Sequence, residues 1–496
     1  MTRRHAWRWA AVGWALAAVV CGGALAQRGA DDDARPVRTD YTDKTLPAAD
    51  EPITEAVWAT WQRDPTTTLT VHWIGPLDRR WASAAICAAD DAEAAGADGA
   101  PAAVYTAMPA GARPMPGTHD RVVYVAEFIG LEPDTAYLVA VPGRDRPVRV
   151  RTLPADADAP LRFAVGGCVY KDKKPFEKMI QAVAHHDPHF ALIAGDIAYA
   201  DGDLDQAYRW LYYLATWENL ARRADGSLIP KVVTIGNHEV SAGGRGRTKA
   251  FAPFFYALFA FPAPAGYGVL DIGEHLSIFL LDSGHTNSVP GHQTDWLAAE
   301  LEARAERTHL IAAYHVPAYP SARSFGNTKN REVRRHWTPL FDAFGVDLVL
   351  EADDHAYKRT LPLYGGRPDP RGTVYVGDGG FGMNSLRTPA DPGTGSIFGN
   401  RRSYLAHTAE RTHGELVTIH GDERTVLAMD PDGLIFDSYR FSAGQPHAID
   451  ATPHTGFFLR PEGYLLVVAL LLGVAGYFGY TGWKRSQRPP AWVDKI

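Results

Sequence analysis

The residues best suited to bind metal ions follow directly after five short apolar segments in the middle of the chain. Together they offer carboxylate, phenol, amide, imidazole and thiol groups, a mixture that suits borderline or hard cations such as iron, zinc or manganese. Because ligands bind at the strand ends of open α/β sheets, five such ends predict one shared metal site. The five polar segments are Gly166-Gly167-Cys168, Gly195-Asp196-Ile197-Ala198-Tyr199, Gly236-Asn237-His238-Glu239, Tyr314-His315-Val316-Pro317 and Asp353-Asp354-His355.

The elements that must position these groups alternate between strands and helices. Short apolar runs of strand length recur, with stretches of helical periodicity between them. This order predicts an α/β domain of mixed β-sheets layered with helices over residues 160–442. The predicted strands lie at 161–165, 190–194, 231–235, 276–281, 309–313, 347–350, 373–376, 414–420 and 425–429, and the predicted helices at 178–185, 208–220, 294–306 and 335–344.

The region before this domain has a different pattern, in which apolar and polar residues alternate over short runs separated by turns. Several short strands with turns between them predict an all-β sandwich over residues 51–153. The turn and strand at 130–137 resemble a corner of fibronectin type III-like modules, so a sandwich of that kind is expected. The predicted fold class is therefore multidomain, with an all-β sandwich followed by the α/β domain.

The composition is that of an ordinary globular protein, with 46% hydrophobic and 22% charged residues among 496. The formal net charge is −7, and no long basic run precedes the C-terminus. This distribution argues against nucleic acid as the main partner. The oligomeric state stays open at this level.

The N-terminus is typical of a secretory signal. Basic residues at Arg3, Arg4 and Arg8 precede an apolar stretch at 10–20, and small residues at 24–26 match a cleavage site. We expect a signal peptide over residues 1–26, with an uncleaved anchor as the alternative. A flexible lead over residues 27–50 follows.

The C-terminus carries a second apolar segment. Residues 464–482 hold no charge, which predicts a transmembrane helix over 464–483 after a stalk at 443–461. Basic residues follow at once in the tail, 484–496, and place it in the cytoplasm. The sequence thus predicts an exported protein that is anchored in a membrane, its catalytic domain on the extracytoplasmic side, periplasmic or extracellular.

The segments around Asp196 and Asn237 follow each other in this order, about forty residues apart. In this they resemble the purple acid phosphatase branch of the calcineurin-like metallophosphoesterases. That branch shows GD, GDxxY, GNH(E/D), VxxH and GHxH at consecutive strand ends, and its long members also carry a β-sandwich before the catalytic domain. The resemblance implies two metal ions and a phosphate-ester substrate. It also implies the chemistry, in-line attack of a metal-bound hydroxide on phosphorus.

The resemblance also implies a role for each matching residue. Asp196 would bridge both metals. Fe(III) is expected at the first site and Zn, Mn, Fe or Ca at the second. His238 would be catalytic and would face the substrate together with Asn237, and Arg323 would clamp the phosphate unless it is a plain surface arginine. The implied ligands of the first metal are Tyr199 and His355, and those of the second are Asn237 and His315.

Two positions depart from the family pattern. Cys168 stands where the family has its first Asp, and Asp353 stands where it has the first His of GHxH. Both residues can donate to a metal, so both are predicted ligands, and the acid should make the second site harder and more anionic. The alternatives are a buried core cysteine, a Cys87–Cys168 disulfide, and a solvated acid at Asp353.

Two other functions stay open from the sequence. The same site could serve a phosphodiesterase or nucleotidase, because one dinuclear centre can act on monoesters and diesters. A catalytically silent relative that binds partners through its sandwich is the other alternative. The replacements at Cys168 and Asp353 are the features that favour silence.

Overall fold

The computed structural model describes residues 41, 55–78, 82–95, 104–106, 111–241, 248–262, 265–393 and 401–447. The predicted signal peptide and cytoplasmic tail lie outside these residues, as do most of the lead and of the stalk.

The N-terminal region contains two sheets of four strands, and every neighbouring pair in them is antiparallel. Trp58, Trp73 and Tyr124 from one sheet and Ile86 and Val139 from the other are buried in a common core. The fibronectin type III-like assignment stays a prediction. The strands are β1 (Val57–Thr60), β2 (Thr68–Pro76), β3 (Ala85–Ala88), β4 (Val104–Thr106), β5 (Gly111–Pro114), β6 (Arg121–Ile129), β7 (Ala136–Ala140) and β8 (Val148–Arg151), and a helix at Ala89–Ala95 follows β3.

The second region contains two larger mixed sheets. One has the strand order β11-β10-β9-β23-β24-β25, and the other has the order β12-β13-β14-β15-β19-β16-β22. The strands are β9 (Leu161–Gly166), β10 (Phe190–Ala194), β11 (Lys231–Thr234), β12 (Gly268–Ile272), β13 (Leu276–Leu280), β14 (His309–Ala313), β15 (Leu348–Glu351), β16 (Tyr357–Thr360), β17 (Leu363–Tyr364), β18 (Arg367–Pro368), β19 (Val374–Gly377), β20 (Asp391–Pro392), β21 (Arg401–Arg402), β22 (Leu405–Ala409), β23 (Gly414–His420), β24 (Glu423–Met429) and β25 (Ile435–Ser442).

Parallel pairing within each sheet brings the site-bearing strand ends to one edge. Strands β9, β10 and β11 are parallel neighbours, and so are β14, β15 and β19. The two edges meet after β10 and β14, where His315 Nδ1 lies 2.8 Å from the Ala194 carbonyl. The helices are Lys173–Ala184, Ala207–Leu220, Pro253–Leu258, His292–Glu302, Thr328–His336 and Thr338–Phe344.

One predicted helix is divided in the structure. The segment predicted at 335–344 belongs to two helices, Thr328–His336 and Thr338–Phe344, and the second carries a proline in its first turn. Pro339 lacks a backbone N–H and is therefore favoured at a helix start and disfavoured inside one.

The layered α/β architecture is confirmed, but the predicted fold class needs one correction. No helix among the described residues has the length and apolar character needed to cross a membrane. The longest of them, Ala207–Leu220, has 14 residues, whereas a span needs about 20. The segment predicted to cross, 464–483, lies outside the described residues, and the prediction of a transmembrane helix is not supported.

The sandwich is attached to the α/β domain through a buried acid. Glu218 on the helix Ala207–Leu220 accepts hydrogen bonds from the Val57 N–H at 2.6 Å and from the Arg144 Nη2 at 2.8 Å. The Trp58 indole N–H donates to the Leu258 carbonyl at 3.0 Å. These charged and polar contacts fix the sandwich against the side of the domain that carries β11.

Lys231 at the start of β11 is fully buried, and its Nζ has no hydrogen-bond partner among the described residues. Burial lowers the pKa of this amine well below its usual value, although nearby Glu218 raises it. Lys231→Met should therefore increase the free energy of unfolding by about 1 kcal/mol at about pH 7, because a buried amine without a hydrogen bond is replaced by an apolar chain that keeps the contact with the Tyr213 and Trp217 rings.

The sign of the pH dependence can be measured in the same variant. Between the folded pKa and the unfolded value of about 10.5, only the unfolded chain holds the proton, so wild-type stability rises with pH. The advantage of Lys231→Met should shrink from about pH 7 to about pH 10 in urea denaturation. Lys178→Met, at an exposed lysine, is the control. A loss of stability in Lys231→Met at the lower pH would contradict the prediction.

Candidate metal centre

Five of the predicted ligands have a left-handed backbone, which residues other than glycine seldom adopt. Each such residue costs about 1–3 kcal/mol, and strain of this kind concentrates at functional sites. The sharp turn lets a side chain at a strand end point back over the edge of the sheet. The residues and φ angles are Cys168 at 54°, Asp196 at 54°, Tyr199 at 53°, Asp353 at 72° and His355 at 58°.

Asp196 stands at the centre of the cluster. Its Oδ2 lies 3.2 Å from His315 Nε2, 3.8 Å from Cys168 Sγ and 3.9 Å from His238 Nε2. Its Oδ1 accepts the backbone N–H of His238 at 2.8 Å. Donor atoms of Cys168, Asp196 and His315 all lie within 4.8 Å of one another, a spacing at which they could share a metal ion.

His315 faces the cluster with the nitrogen that can bind a metal. Its Nδ1 lies 2.8 Å from the Ala194 carbonyl and must donate to it, so in the neutral imidazole Nε2 carries the lone pair. That Nε2 is 3.2 Å from Asn237 Oδ1 and 3.8 Å from Asp353 Oδ1. The structure therefore brings the residues predicted at the second metal to one side of Asp196.

Tyr199 and His355 lie next to each other in the cluster. The Tyr199 hydroxyl is 3.4 Å from His355 Nε2 and 3.4 Å from Met383 Sδ. Buried Cys168, Tyr199 and Met383 form one small apolar cluster. Tyr199 and His355, the ligands that the resemblance implies for the first metal, are thus neighbours, and Cys168 packs against Tyr199.

Two glycines allow the ligands to approach so closely. A Cβ on Gly236 would lie 2.3 Å from Asp196 Oδ1, and a Cβ on Gly379 would lie 2.7 Å from Cys168 Sγ. Any other residue at these positions would push a predicted ligand out of place.

Burial makes this centre unfavourable for anions unless a cation is present. Burial raises the pKa of the Cys168 thiol well above its usual value, and the Asp196 carboxylate raises it further. Burial also raises the pKa of the Tyr199 phenol, together with nearby Cys168 and Asp196. A cation among these groups would supply the charge that the thiol and phenol need in order to ionise, so the donors fit a metal ion.

The two histidines differ in their charge preference. Burial would lower the pKa of His315, but the attraction of Asp196 prevails and raises it to about 9. Burial and nearby Arg387 lower the pKa of His355 to about 3, so its imidazole is neutral, as a metal ligand must be. Without a metal, protonated His315 compensates the charge of Asp196, whose own pKa falls below its usual range despite burial.

Glu239 holds two of the strand ends together, a role that the sequence analysis missed. It is buried, and its carboxylate accepts backbone N–H groups from Gly236 at 2.8 Å, Asp196 at 2.8 Å and Ile197 at 2.7 Å. The sequence signal was the position of this acid, directly after Asn237-His238.

His238 is partly open to solvent, with 29% of its side chain exposed. Its Nδ1 is hydrogen-bonded to Asp201 Oδ1, and its ring lies 4.1 Å from the Tyr199 ring. Asp201 is a second residue that the sequence analysis did not assign. An exposed imidazole fixed at Nδ1 leaves Nε2 facing the cluster.

Arg323 does not point freely towards solvent. Its Nη2 donates to Asp353 Oδ1 at 2.6 Å, and its Nε donates to the Asp353 carbonyl at 3.0 Å. Asp353 is buried, so the alternative of a solvated loop acid is wrong. Among the described residues, no disulfide joins Cys87 to Cys168, so that alternative is also wrong.

The comparisons with known proteins agree with this geometry. The calcineurin-like phosphoesterase family matches residues 161–357. Purple acid phosphatase 18 of Arabidopsis thaliana is 29% identical over 284 residues, which cover 53% of this chain and 59% of that protein. Purple acid phosphatase 15 of the same plant is 26% identical over 302 residues, or 52% and 54% of the two chains. This chain therefore spans little more than half the length of these relatives.

Three further matches cover more of the chain. An uncharacterized protein of Mycobacterium tuberculosis is 28% identical over 402 residues, 72% of this chain and 70% of its own. The solved structure of a purple acid phosphatase from yellow lupin seeds has a TM-score of 0.64 at 16% identity and covers 79% of this chain and 74% of its own. The structure of PhoD has a TM-score of 0.56 at 14% identity and covers 82% and 95%. At these identities the two structures show a shared fold.

Proposed function

We propose that this chain, which contains a calcineurin-like metallophosphoesterase domain homologous to purple acid phosphatases, hydrolyses phosphate esters at the centre around Asp196. The observation that supports this most is the convergence of donor atoms from Cys168, Asp196 and His315 within 4.8 Å. Asn237, Tyr199 and His355 lie next to them.

The residues divide into two sets of donors. Cys168, Tyr199 and His355 would hold a first cation, for which we propose Fe(III), while Asn237 and His315 would hold a second, Zn, Mn, Fe or Ca. Asp196 would be shared between them. When bound, the two cations would supply the positive charge that draws in a phosphate ester and makes a water nucleophilic at neutral pH.

His238 is suited to move a proton during the reaction. Its Nδ1–H donates to Asp201, which fixes the ring and turns Nε2 towards the cluster, so an imidazolium with its second proton on Nε2 would give that proton to the departing alcohol and return to the Nδ1–H tautomer. The backbone N–H of His238 donates to Asp196, which fixes the turn that carries His238 beside the cluster. Tyr199 and Met383 close the buried side against water.

Hydrolysis of simple esters tests the proposal. The full chain, stripped of metals with a chelator, should be inactive on para-nitrophenyl phosphate and regain activity with iron plus zinc, manganese or calcium. Activity restricted to bis-para-nitrophenyl phosphate would instead favour a phosphodiesterase. Absence of both bound metal and turnover with every ion would support the silent relative.

Tyr199→Phe gives a separate test of the first site. If iron is bound there, phenolate-to-iron charge transfer should give a visible band in the wild type, and the variant should lose most of it while it keeps its iron. Tyr208→Phe, at a tyrosine outside the centre, is the control. Retention of the full band in Tyr199→Phe would exclude the phenolate as a ligand.

Export through the segment predicted at 1–26 is also part of this proposal. N-terminal sequencing of the mature protein should begin at Gln27, and an intact Met1 would contradict cleavage.

A further inference from the structure

The guanidinium of Arg323 lies in the metal centre, against Asp353. It contacts Asp353 twice, through Nη2 to the carboxylate at 2.6 Å and through Nε to the main-chain carbonyl at 3.0 Å. The Asp353 side chain is 9% exposed and that of Arg323 is 33% exposed. This is a forked, charge-assisted contact at a partly buried place, where such a pair is stronger than on an open surface.

Buried neighbours hold this pair in position. Asp354 accepts the Arg323 backbone N–H at 2.9 Å and the Ser321 hydroxyl at 3.2 Å. Arg387 Nη1 donates to the Asp353 carbonyl at 3.1 Å. Asp354 is fully buried, so its hydrogen bonds hold the loop that carries Arg323 in place.

The contact with Arg323 changes what Asp353 can offer to a metal. Its Oδ1 is 3.8 Å from His315 Nε2, and the group of close donor atoms found in the described part of the chain contains Cys168, Asp196 and His315 but not Asp353. The oxygen nearest to His315 is thus already bound to a cation, the guanidinium. The same guanidinium places a fixed positive charge beside the donors of the second site.

We propose that Arg323 is a positioning residue that holds Asp353 in an ion pair and so lowers the affinity of the second site for its cation. This inference rests on the proposed function, because it assumes that the centre binds two cations. The sequence alone predicts a metal ligand at Asp353, and at Arg323 either a phosphate clamp or a plain surface arginine. Here each residue neutralises the other, and the affinity of the second site depends on both.

Manganese titration of the full-length chain tests the proposal, with free Mn²⁺ counted by electron paramagnetic resonance. The wild type should show one tight and one weak site. Arg323→Gln removes the positive charge and frees Asp353, so the dissociation constant of the weak site should fall about tenfold or more. Arg323→Lys keeps the charge but loses the fork, and should give an intermediate value.

Two controls identify the cause. Arg331→Gln makes the same change on an exposed part of the nearby helix and should leave both constants unchanged. In an Asp353→Asn background, Arg323→Gln should change the weak constant by no more than about twofold, because the released carboxylate supplies most of the gain. Circular dichroism of each variant confirms that it is folded.

The outcomes separate this inference from the proposed function. An unchanged weak constant in folded Arg323→Gln and Arg323→Lys would overturn the inference and leave the hydrolase proposal standing. A wild type that binds no cation would overturn both.

Discussion

Asp196→Asn should lower turnover of a phosphate ester at least about a thousandfold, because the shared carboxylate would be lost from both cation sites. Asparagine could still accept the His238 N–H at Oδ1, so the turn should survive. Its Nδ2 amide would then face His315 and Cys168, where Asp196 Oδ2 now lies. An amide nitrogen donates hydrogen bonds and carries no negative charge, and it cannot bind a cation.

Bound metal and turnover are measured together in this variant, the metal by mass spectrometry. We expect fewer than two ions per chain in Asp196→Asn and unchanged values in Asp205→Asn, which makes the same substitution at an exposed site nearby. Full turnover with both metals retained would exclude Asp196 as the shared ligand.

Glu239→Ala should have the second-largest effect, and it should appear first in stability. The three backbone N–H groups that this carboxylate accepts, from Gly236, Asp196 and Ile197, would be left buried without an acceptor. We expect the free energy of unfolding to fall by about 3–5 kcal/mol, since each unsatisfied group costs about 1–3 kcal/mol and some relaxation follows. Metal content should fall too, because the turn that carries Asp196 loses its support.

Urea denaturation of the metal-free chain measures this effect separately from metal binding. Glu239→Gln keeps one acceptor oxygen and should lose less stability than Glu239→Ala. Glu302→Ala, at an exposed helical position, should change stability by less than about 0.5 kcal/mol. A loss below about 1 kcal/mol in Glu239→Ala would show that other groups satisfy these donors.

The sequence by itself determined the strands of the α/β domain and the kind of chemistry to expect at their ends, metal binding. Apolar runs of strand length followed by Asp196, Asn237 and His315 predicted an α/β domain with a metal site at its strand ends. The prediction of the α/β domain is confirmed because the period of apolar residues and the residue type that follows a strand are local properties, whereas the metal site stays a prediction. Hydropathy was less reliable near the C-terminus, where the predicted membrane helix at 464–483 found no support in the described residues.

Only the tertiary structure decided which polar groups lie together at the candidate metal centre and which of them pair with each other. Nothing in the spacing of Asp353 and Arg323 indicates that they pair, because that contact requires the loop after β14 to fold back over the end of β15. The use of Glu239 as the acceptor for three N–H groups likewise depends on β10 and β11 lying side by side. Hydrogen bonds and ion pairs act only at contact distance, and the packing of the strands determines which distant residues come that close.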